Sequence, residues 1–304
     1  MNGIVTVYKE KGYTSHDVVA RVRRIFGQKK VGHTGTLDPQ AEGVLPVCLG
    51  PSTRVCSLLT DQDKTYEADL LLGIRTDTQD LTGKVLERCV DLPDPQAVTE
   101  AVLSFCGDYD QVPPMYSARK VNGRKLYELA REGTEVERSP GRVRIYEIRI
   151  LSMELPLCRI RVTCSKGTYI RTLCDDIGAA LGCGGAMASL LRTRVGAFTL
   201  QDAVTLQELE DAKAAGILAE KVLSPDLLFE HLPAVRFSAQ ADQRARNGNP
   251  VPAQMTDYTL PLPPGIKVRL YDSNGMFYGI SEADPQQKAF RPVKILTDLS
   301  LIGN

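Results

Sequence analysis

Gly32-His-Thr-Gly-Thr-Leu-Asp-Pro-Gln-Ala-Glu-Gly-Val-Leu-Pro-Val-Cys-Leu-Gly50 decides how this chain is read, because it surrounds one carboxylate, Asp38, with turn formers and then enters an apolar run. Gly32, Gly35 and Gly43 permit backbone angles and close approaches that a Cβ resists, while Pro39 fixes its own φ and biases Asp38 away from the helical region. A segment of this kind holds a carboxylate still, and loops carry sites. An Asp-Pro turn between two structural elements has the same local signature. The choice between them comes from the flanking sequence.

Upstream, Ser15 is placed to N-cap a helix whose apolar residues Val18, Val19, Val22, Ile25 and Phe26 share one face before Gly27 ends it. Arg21, Arg23 and Arg24 lie mostly off that stripe and Lys29 and Lys30 follow, which suits either a solvated helix face or contact with phosphates. Downstream, 65–73, 143–150 and 158–164 read as strands. In the last, Ile160, Val162 and Cys164 alternate with Arg159, Arg161 and Thr163, the pattern of a sheet with one buried and one wet face. Ser165-Lys-Gly167 then turns the chain into a helix carrying Ile170, Leu173, Cys174, Ile177 and Leu181 on one stripe. Tyr169 and Arg171 fall in its first turn. A cation there opposes the helix dipole, so Arg171 either faces water or has an anionic neighbour that offsets the cost.

Residues 109–133 hold a Pro-Pro start, the basic residues Arg119, Lys120, Arg124 and Lys125, and the aromatics Tyr116 and Tyr127. That mixture fits an excursion that grips a phosphate backbone while stacking on bases, or a helical hairpin with solvated lysines. From about Leu232 the texture changes. A short polar helix at 238–246 ends at Asn247-Gly-Asn-Pro, a proline-rich link runs from Pro261 to Pro264, and strands follow at 266–271, 276–281 and 290–295, the first two joined by an Asp272-Ser-Asn-Gly275 turn. This predicts a small β-rich unit over 233–304 behind a larger one over 1–232, with an insertion at about 109–140.

Composition narrows the function classes. The chain of 304 residues balances 37 lysines and arginines against 37 aspartates and glutamates, which argues against a nonspecific polybasic binder but leaves room for a local basic groove. Eight cysteines without a C-x-x-C pair read as small buried hydrophobes in a reducing compartment. The three histidines, His16, His33 and His231, have no metal-ligand spacing, so no metal site is expected. The absence of G-x-x-x-x-G-K-[ST] speaks against a nucleotide cofactor. The start lacks a basic region followed by a long apolar stretch, and no run approaches a membrane span, so a cytoplasmic, non-membrane protein is expected.

Four motifs in register resemble the tRNA pseudouridine synthase B (TruB) family: Gly32-His-Thr-Gly-Thr-Leu-Asp-Pro39 with Gly43-Val-Leu-Pro-Val, Lys64-Thr-Tyr66-Glu-Ala, Pro113-Pro-Met-Tyr-Ser-Ala118 with Leu126-Tyr-Glu-Leu-Ala-Arg131, and Ser165-Lys-Gly-Thr-Tyr-Ile-Arg171-Thr-Leu. The resemblance implies isomerisation of the uridine at tRNA position 55 to pseudouridine. It implies an α/β (α+β) fold with a central mixed, largely antiparallel sheet and flanking helices, a PUA-like RNA-binding tail, no cofactor, and a monomer that takes the T-arm stem-loop of tRNA. By the same likeness Asp38 is the catalytic aspartate, Arg171 its ion-pair partner and Tyr66 the ring stacked on the target uracil. Tyr169 and Leu190 line the nucleoside pocket, and His33 helps displace the target base. Two departures, Leu191 in place of an arginine and Gln40 in place of an apolar residue, put contacts at the pocket rim in question.

The residues suit that chemistry in their own right. Breaking the bond from N1 to C1′ and rejoining the ring through C5 needs one activated carboxylate, and a nearby Arg typically lowers a carboxylate pKa by about one to three units. Attack at C1′, attack at C6 and removal of the C2′ proton all remain open. A noncatalytic RNA-binding or RNA-remodelling protein would tolerate loss of Asp38. A hydrolase working through a carboxylate pair would need a second acid near Asp38, for which the loop offers Glu42.

Overall fold

The computed structural model describes residues 1–304 except 122, 260–262, 287 and 303–304. Strand β1 (Gly3–Lys9) and helix α1 (Ser15–Phe26) are followed by β2 (Val31–His33) and β3 (Glu42–Leu49), which bracket the glycine-rich loop. A short helix α2 (Cys56–Thr60) leads to β4 (Lys64–Leu72), a ribbon of β5 (Ile74–Thr76) and β6 (Val85–Arg88), helix α3 (Pro95–Ser104) and β7 (Gly107–Gln111). The excursion after β7 contains β8 (Lys120–Val121), β9 (Arg124–Lys125) and helix α4 (Leu126–Arg131). The long strands β10 (Gly141–Glu154) and β11 (Leu157–Cys164), helix α5 (Ile170–Ala180), β12 (Gly185–Val195), β13 (Phe198–Thr199) and helix α6 (Leu206–Ala214) complete the larger part.

These strands form a nine-stranded sheet in the order β1-β3-β12-β4-β11-β10-β7, with β2 beside β3 and β13 beside β12. Its pairings are antiparallel apart from β3 with β12, which run parallel, so this is the mixed sheet of an α/β protein. The parallel join depends on Gly43: its φ is +106°, and a Cβ there would lie 2.2 Å from the Arg192 carbonyl oxygen. On β4, Tyr66, Ala68, Leu70 and Leu72 point into a core with α3 and α5. Glu67 faces the other way, where Arg161 and Arg159 pair with it at 2.7 and 3.2 Å.

Helix α1 starts one residue earlier than Ser15 suggests. Thr14 is the cap, because Asp17, three residues on, returns a bond to its backbone N–H and completes a capping box, whereas Val18 cannot do this for Ser15. Gly27 ends the helix in the left-handed conformation, φ +62°. Cysteine burial holds for Cys48, Cys158, Cys164, Cys174 and Cys183, but Cys56 and Cys89 are half-buried and Cys106 is exposed.

The tail adds β14 (Ala234–Arg236), helix α7 (Ala239–Arg246), β15 (Val251–Pro252), β16 (Lys267–Tyr271), β17 (Phe277–Asp284) and β18 (Ala289–Ile295). They make a second sheet in the order β14-β16-β17-β18-β15. The β16–β17 turn closes on Gly275 at φ +82°. Pro261, at the start of the proline-rich link, lies outside the described residues. The two sheets are not independent: Phe277, Ile280 and Leu296 share one buried cluster with Ile4, Val44, Cys48, Val55 and Leu59. Hydrogen bonds cross as well, from Arg54 Nη1 to the Ile295 carbonyl at 2.6 Å and from Lys294 Nζ to the Arg54 carbonyl at 3.1 Å. Among the described residues, no helix is long and apolar enough to cross a membrane.

Candidate active site

The Asp38 loop is pinned from both sides of the chain. Ser15 Oγ accepts from the Leu37 N–H at 2.9 Å and donates to the Leu37 carbonyl at 3.3 Å, while the Ala41 N–H closes a turn onto the Asp38 carbonyl at 3.0 Å. Beneath the turn lies Lys9, a fully buried lysine whose Nζ donates to the carbonyls of Ala41 at 2.5 Å and Pro39 at 3.2 Å. Burial pushes its pKa down to about 8, against the opposing pull of the Asp38 and Glu42 charges. From β12, Arg192 Nε donates to the Val44 carbonyl at 2.7 Å and Nη2 to the Gly35 carbonyl at 3.3 Å, tying both ends of the loop to the sheet.

Arg171 meets this loop from the start of α5. Its Nε lies 2.8 Å from Asp38 Oδ2, with 6% of the arginine side chain and 38% of the aspartate side chain exposed. Two loops fix the rest of the guanidinium: Nη1 donates to the Thr78 carbonyl at 3.0 Å and Nη2 to the Tyr116 carbonyl at 2.9 Å. Asp80 Oδ2 stands 3.9 Å from Nη1, and its Oδ1 is held by Thr78 and Thr82. The carboxylate is therefore held by a buried cation and still accessible. A cavity of about 380 Å³ lies between the β5–β6 ribbon and the excursion, lined in part by Arg75, Gln79, Met115, Tyr116 and Arg138, and neither Asp38 nor Arg171 lines it.

Residues 23–170 match the TruB family pseudouridylate synthase N-terminal domain, and 171–230 match the tRNA pseudouridylate synthase B C-terminal domain. The chain is 51% identical over 306 residues to a tRNA pseudouridine synthase B of Lachnoclostridium phytofermentans, covering 97% of this chain and 99% of that one. It is 44% identical to that of Alkaliphilus oremlandii, again over 97% and 99%. The chain belongs to the TruB family. Its fold is similar over 98% of its length to a chain in the crystal structure of a Cbf5-Nop10-Gar1 complex, covering 86% of that chain at 27% identity and a TM-score of 0.69. A chain in an H/ACA ribonucleoprotein bound to a substrate RNA containing 2'-deoxyuridine is similar at a TM-score of 0.67 and 26% identity, over 97% and 85% of the two chains.

The pocket residues inferred from the TruB likeness cluster unevenly about the Asp38–Arg171 pair. Arg192 lies opposite Tyr66 and Leu190 opposite Ala68, so Leu190, Arg192 and Tyr66 share a sheet face. Tyr66 is buried, and burial raises its phenol pKa while the Arg192 charge pulls the other way. Tyr169 is the N-cap residue of α5. His33 is on the β2 side of the loop, its Nδ1 accepting from the Gly35 N–H at 3.3 Å and its ring edge-on to His16 with centroids 5.3 Å apart. Burial, and then the neighbouring His16, lowers its pKa. Leu191 pairs with Glu67 on the far face, and Gln40 is exposed. Neither departure from the TruB pattern replaces a wall of the pocket.

Lys9, Asp80 and Arg192 were not singled out by sequence reasoning. Lys9 had a signal, a lone cation closing the apolar strand 4–8, and Arg192 had another, a cation two residues after Leu190 and therefore on the same strand face. Asp80 sits in a polar turn whose approach to α5 has no local signature. In the excursion, Tyr127 already carries Lys125 Nζ and the Arg131 guanidinium at 5.3 and 5.4 Å from its ring centre, so its faces are partly occupied from within the protein. Among the described residues, no cluster of three or more His, Cys, Asp or Glu could hold a metal ion.

Proposed function

We propose that this TruB family member isomerises uridine 55 in the T-loop of tRNA to pseudouridine, with Asp38 as the reacting carboxylate. The observation that carries the reading is the buried Arg171 guanidinium 2.8 Å from an accessible Asp38 carboxylate. Arg171 orients that carboxylate, and its own position is set by two backbone carbonyls and by Asp80. A hydrolytic carboxylate pair is disfavoured by the same geometry. Asp80 faces Arg171 and has one oxygen tied into its own turn, so the two acids are separated by a cation instead of sharing a proton.

Tyr66 supplies the face on which the extruded uracil stacks, Leu190 and Tyr169 close the sides, and His33 stands at the loop edge to occupy the space the base leaves. Flipping the nucleotide costs a few kcal/mol, which stacking and backbone contacts offset. Residues 233–304 contribute RNA contacts outside the reacting centre, and the protein works in the cytoplasm as a monomer. Incubation with unmodified tRNA should convert uridine 55, detected by carbodiimide-dependent primer extension. Asp38→Asn should abolish conversion with tRNA affinity retained, and Arg171→Lys should slow it by about a hundredfold, because a point charge replaces a planar fork. Conversion by Asp38→Asn at the parental rate would end the assignment, and unmodified RNA from the parent protein would end the reading as an isomerase.

A further inference from the structure

We infer that Gln111 is a positioning residue that sets where Arg171 meets Asp38, an inference that rests on the catalytic reading of that pair. Gln111 is the last residue of the edge strand β7 and is 2% exposed. Its side-chain amide pairs with Tyr169 as one peptide pairs with another: Oε1 accepts the Tyr169 N–H at 2.7 Å and Nε2 donates to the Tyr169 carbonyl at 2.9 Å. Tyr169 is the N-cap residue of α5 and has no side-chain cap of its own, so this strand residue satisfies a backbone donor that the helix leaves over.

The second hydrogen on Gln111 Nε2 goes to the Tyr109 hydroxyl, and the Asp176 carboxylate of α5 acts on that hydroxyl from the other side. Proton count fixes the direction of the first bond, amide N–H to phenol oxygen, and leaves the phenol O–H for the carboxylate. The amide cannot be reversed without facing donor to donor at Tyr169. Tyr169 and Asp176 are about two turns apart, on the same face of α5. The strand thus holds the helix at Tyr169 and faces it again at Asp176 on the same side, and Arg171 projects two residues after the first point. Only amide side chains both donate and accept in one plane, and Asn is one methylene too short to span this gap.

The excursion that starts immediately after Gln111 carries Tyr116, whose carbonyl holds Arg171 Nη2. Gln111 therefore anchors the helix and the root of that loop at one place. A helix end released from this clamp shifts the guanidinium relative to Asp38, and a displacement on the scale of an ångström costs roughly a hundredfold in rate. Overall tRNA affinity, most of whose contacts lie outside the reacting centre, should be little changed.

The test uses the full-length chain with Gln111→Met, which keeps length and apolar packing, and Tyr109→Phe, which keeps the ring but cuts the path to Asp176. We expect Gln111→Met to lower the single-turnover rate on tRNA about a hundredfold with Kd within about threefold of the parent, and to speed exchange of the Tyr169 amide proton in NMR spectra. Tyr109→Phe should lose a smaller factor, about tenfold, with Tyr169 still protected. A control, Ile177→Val, loosens the same helix elsewhere and should leave the rate within about threefold. Parental rates in both test variants, or equal losses in the control, would overturn the positioning role. A Tyr169 amide that exchanges faster while even the parent makes no pseudouridine would instead remove the catalytic reading beneath it. Should Gln111→Met fail to fold, Tyr109→Phe decides, and a parental rate there overturns the proposal.

Discussion

At the scale of single residues, the site is governed by how buried cations are satisfied. Arg171 is 6% exposed and spends its donors on one carboxylate and two backbone carbonyls, with Asp80 beyond, so its charge is desolvated but not unpaired. Arg192 is more deeply buried, and among the described residues no carboxylate pairs with it; its bonds go to the carbonyls of Val44 and Gly35, and burial lowers its pKa, with the Tyr66 phenol opposing. That arrangement separates two roles for Tyr66. If the ring holds the extruded uracil, Tyr66→Ala loses stacking worth about 1–3 kcal/mol while Tyr66→Phe binds RNA almost as the parent does. Tight-binding measurements with a T-arm RNA separate these outcomes, and equal weakening in both variants would rule stacking out. A Phe variant that binds but does not react would assign the hydroxyl, poised by Arg192, a proton-transfer role.

Among the elements, α5 carries the most tension. It places a cation in its first turn, against the helix dipole, and two adjacent acids in its second, and tertiary partners offset each: Asp38 for Arg171, Gln79 and Arg75 for Asp175, and Tyr109 for Asp176. Burial, and then the neighbouring Asp175, pushes the Asp176 carboxyl up to about 6. A carboxyl whose pKa is higher folded than unfolded binds more protons in the native state. Its contribution is therefore full below the unfolded value and lost as pH rises through about 6. Asp176→Asn keeps an acceptor for the Tyr109 hydroxyl and removes that penalty. It should stabilise the protein by about 1 kcal/mol at neutral pH, after allowance for solvent screening of a half-exposed group, and by nothing near pH 3. Urea unfolding at the two pH values checks this, and an equal effect at both would show that charge is not the cause.

For the whole molecule, the shared core changes what the tail can be asked to do. A separable RNA-binding tail would let everything after about Leu232 be removed with the chemistry spared and tRNA binding weakened. Phe277, Ile280 and Leu296, however, fill a cluster with Ile4, Val44 and Cys48, the last two on the strand that leaves the Asp38 loop. Each large side chain withdrawn forfeits about 1.5–3 kcal/mol of burial. The truncated chain should therefore be insoluble or melt far below the parent, and a soluble truncation with the parental Tm would refute the shared core. Of the basic residues on the tail's strands, Arg269 and Lys294 already donate to the carbonyls of Leu232 and Arg54 at 3.0 and 3.1 Å, whereas Lys267 is exposed. Lys267→Glu in the full chain is the sounder probe of RNA contact, with weaker tRNA binding and a shallower salt dependence expected.

What the sequence alone determined is what short-range physics encodes. Glycine and proline around Asp38 mark a turn-rich loop, period-two alternation marks β11 and its wet arginine face, and a cation in the first turn of α5 leaves either an anionic neighbour or exposure to water. Strand and helix positions were legible for that reason, and the TruB motifs added the class of fold, the pairing of Asp38 with Arg171 and the reaction. Tertiary structure decided everything that depends on which distant segments meet. It placed Lys9 beneath the loop, set Arg192 behind Tyr66 through the register of β12 on β4, and brought Asp80 and the Thr78 and Tyr116 carbonyls to the guanidinium. It also joined two compositionally distinct parts through one shared buried cluster, beside the tail's own. A buried polar group needs a partner, but its own sequence neighbourhood does not say which segment supplies it, because that choice belongs to the packing of the whole chain.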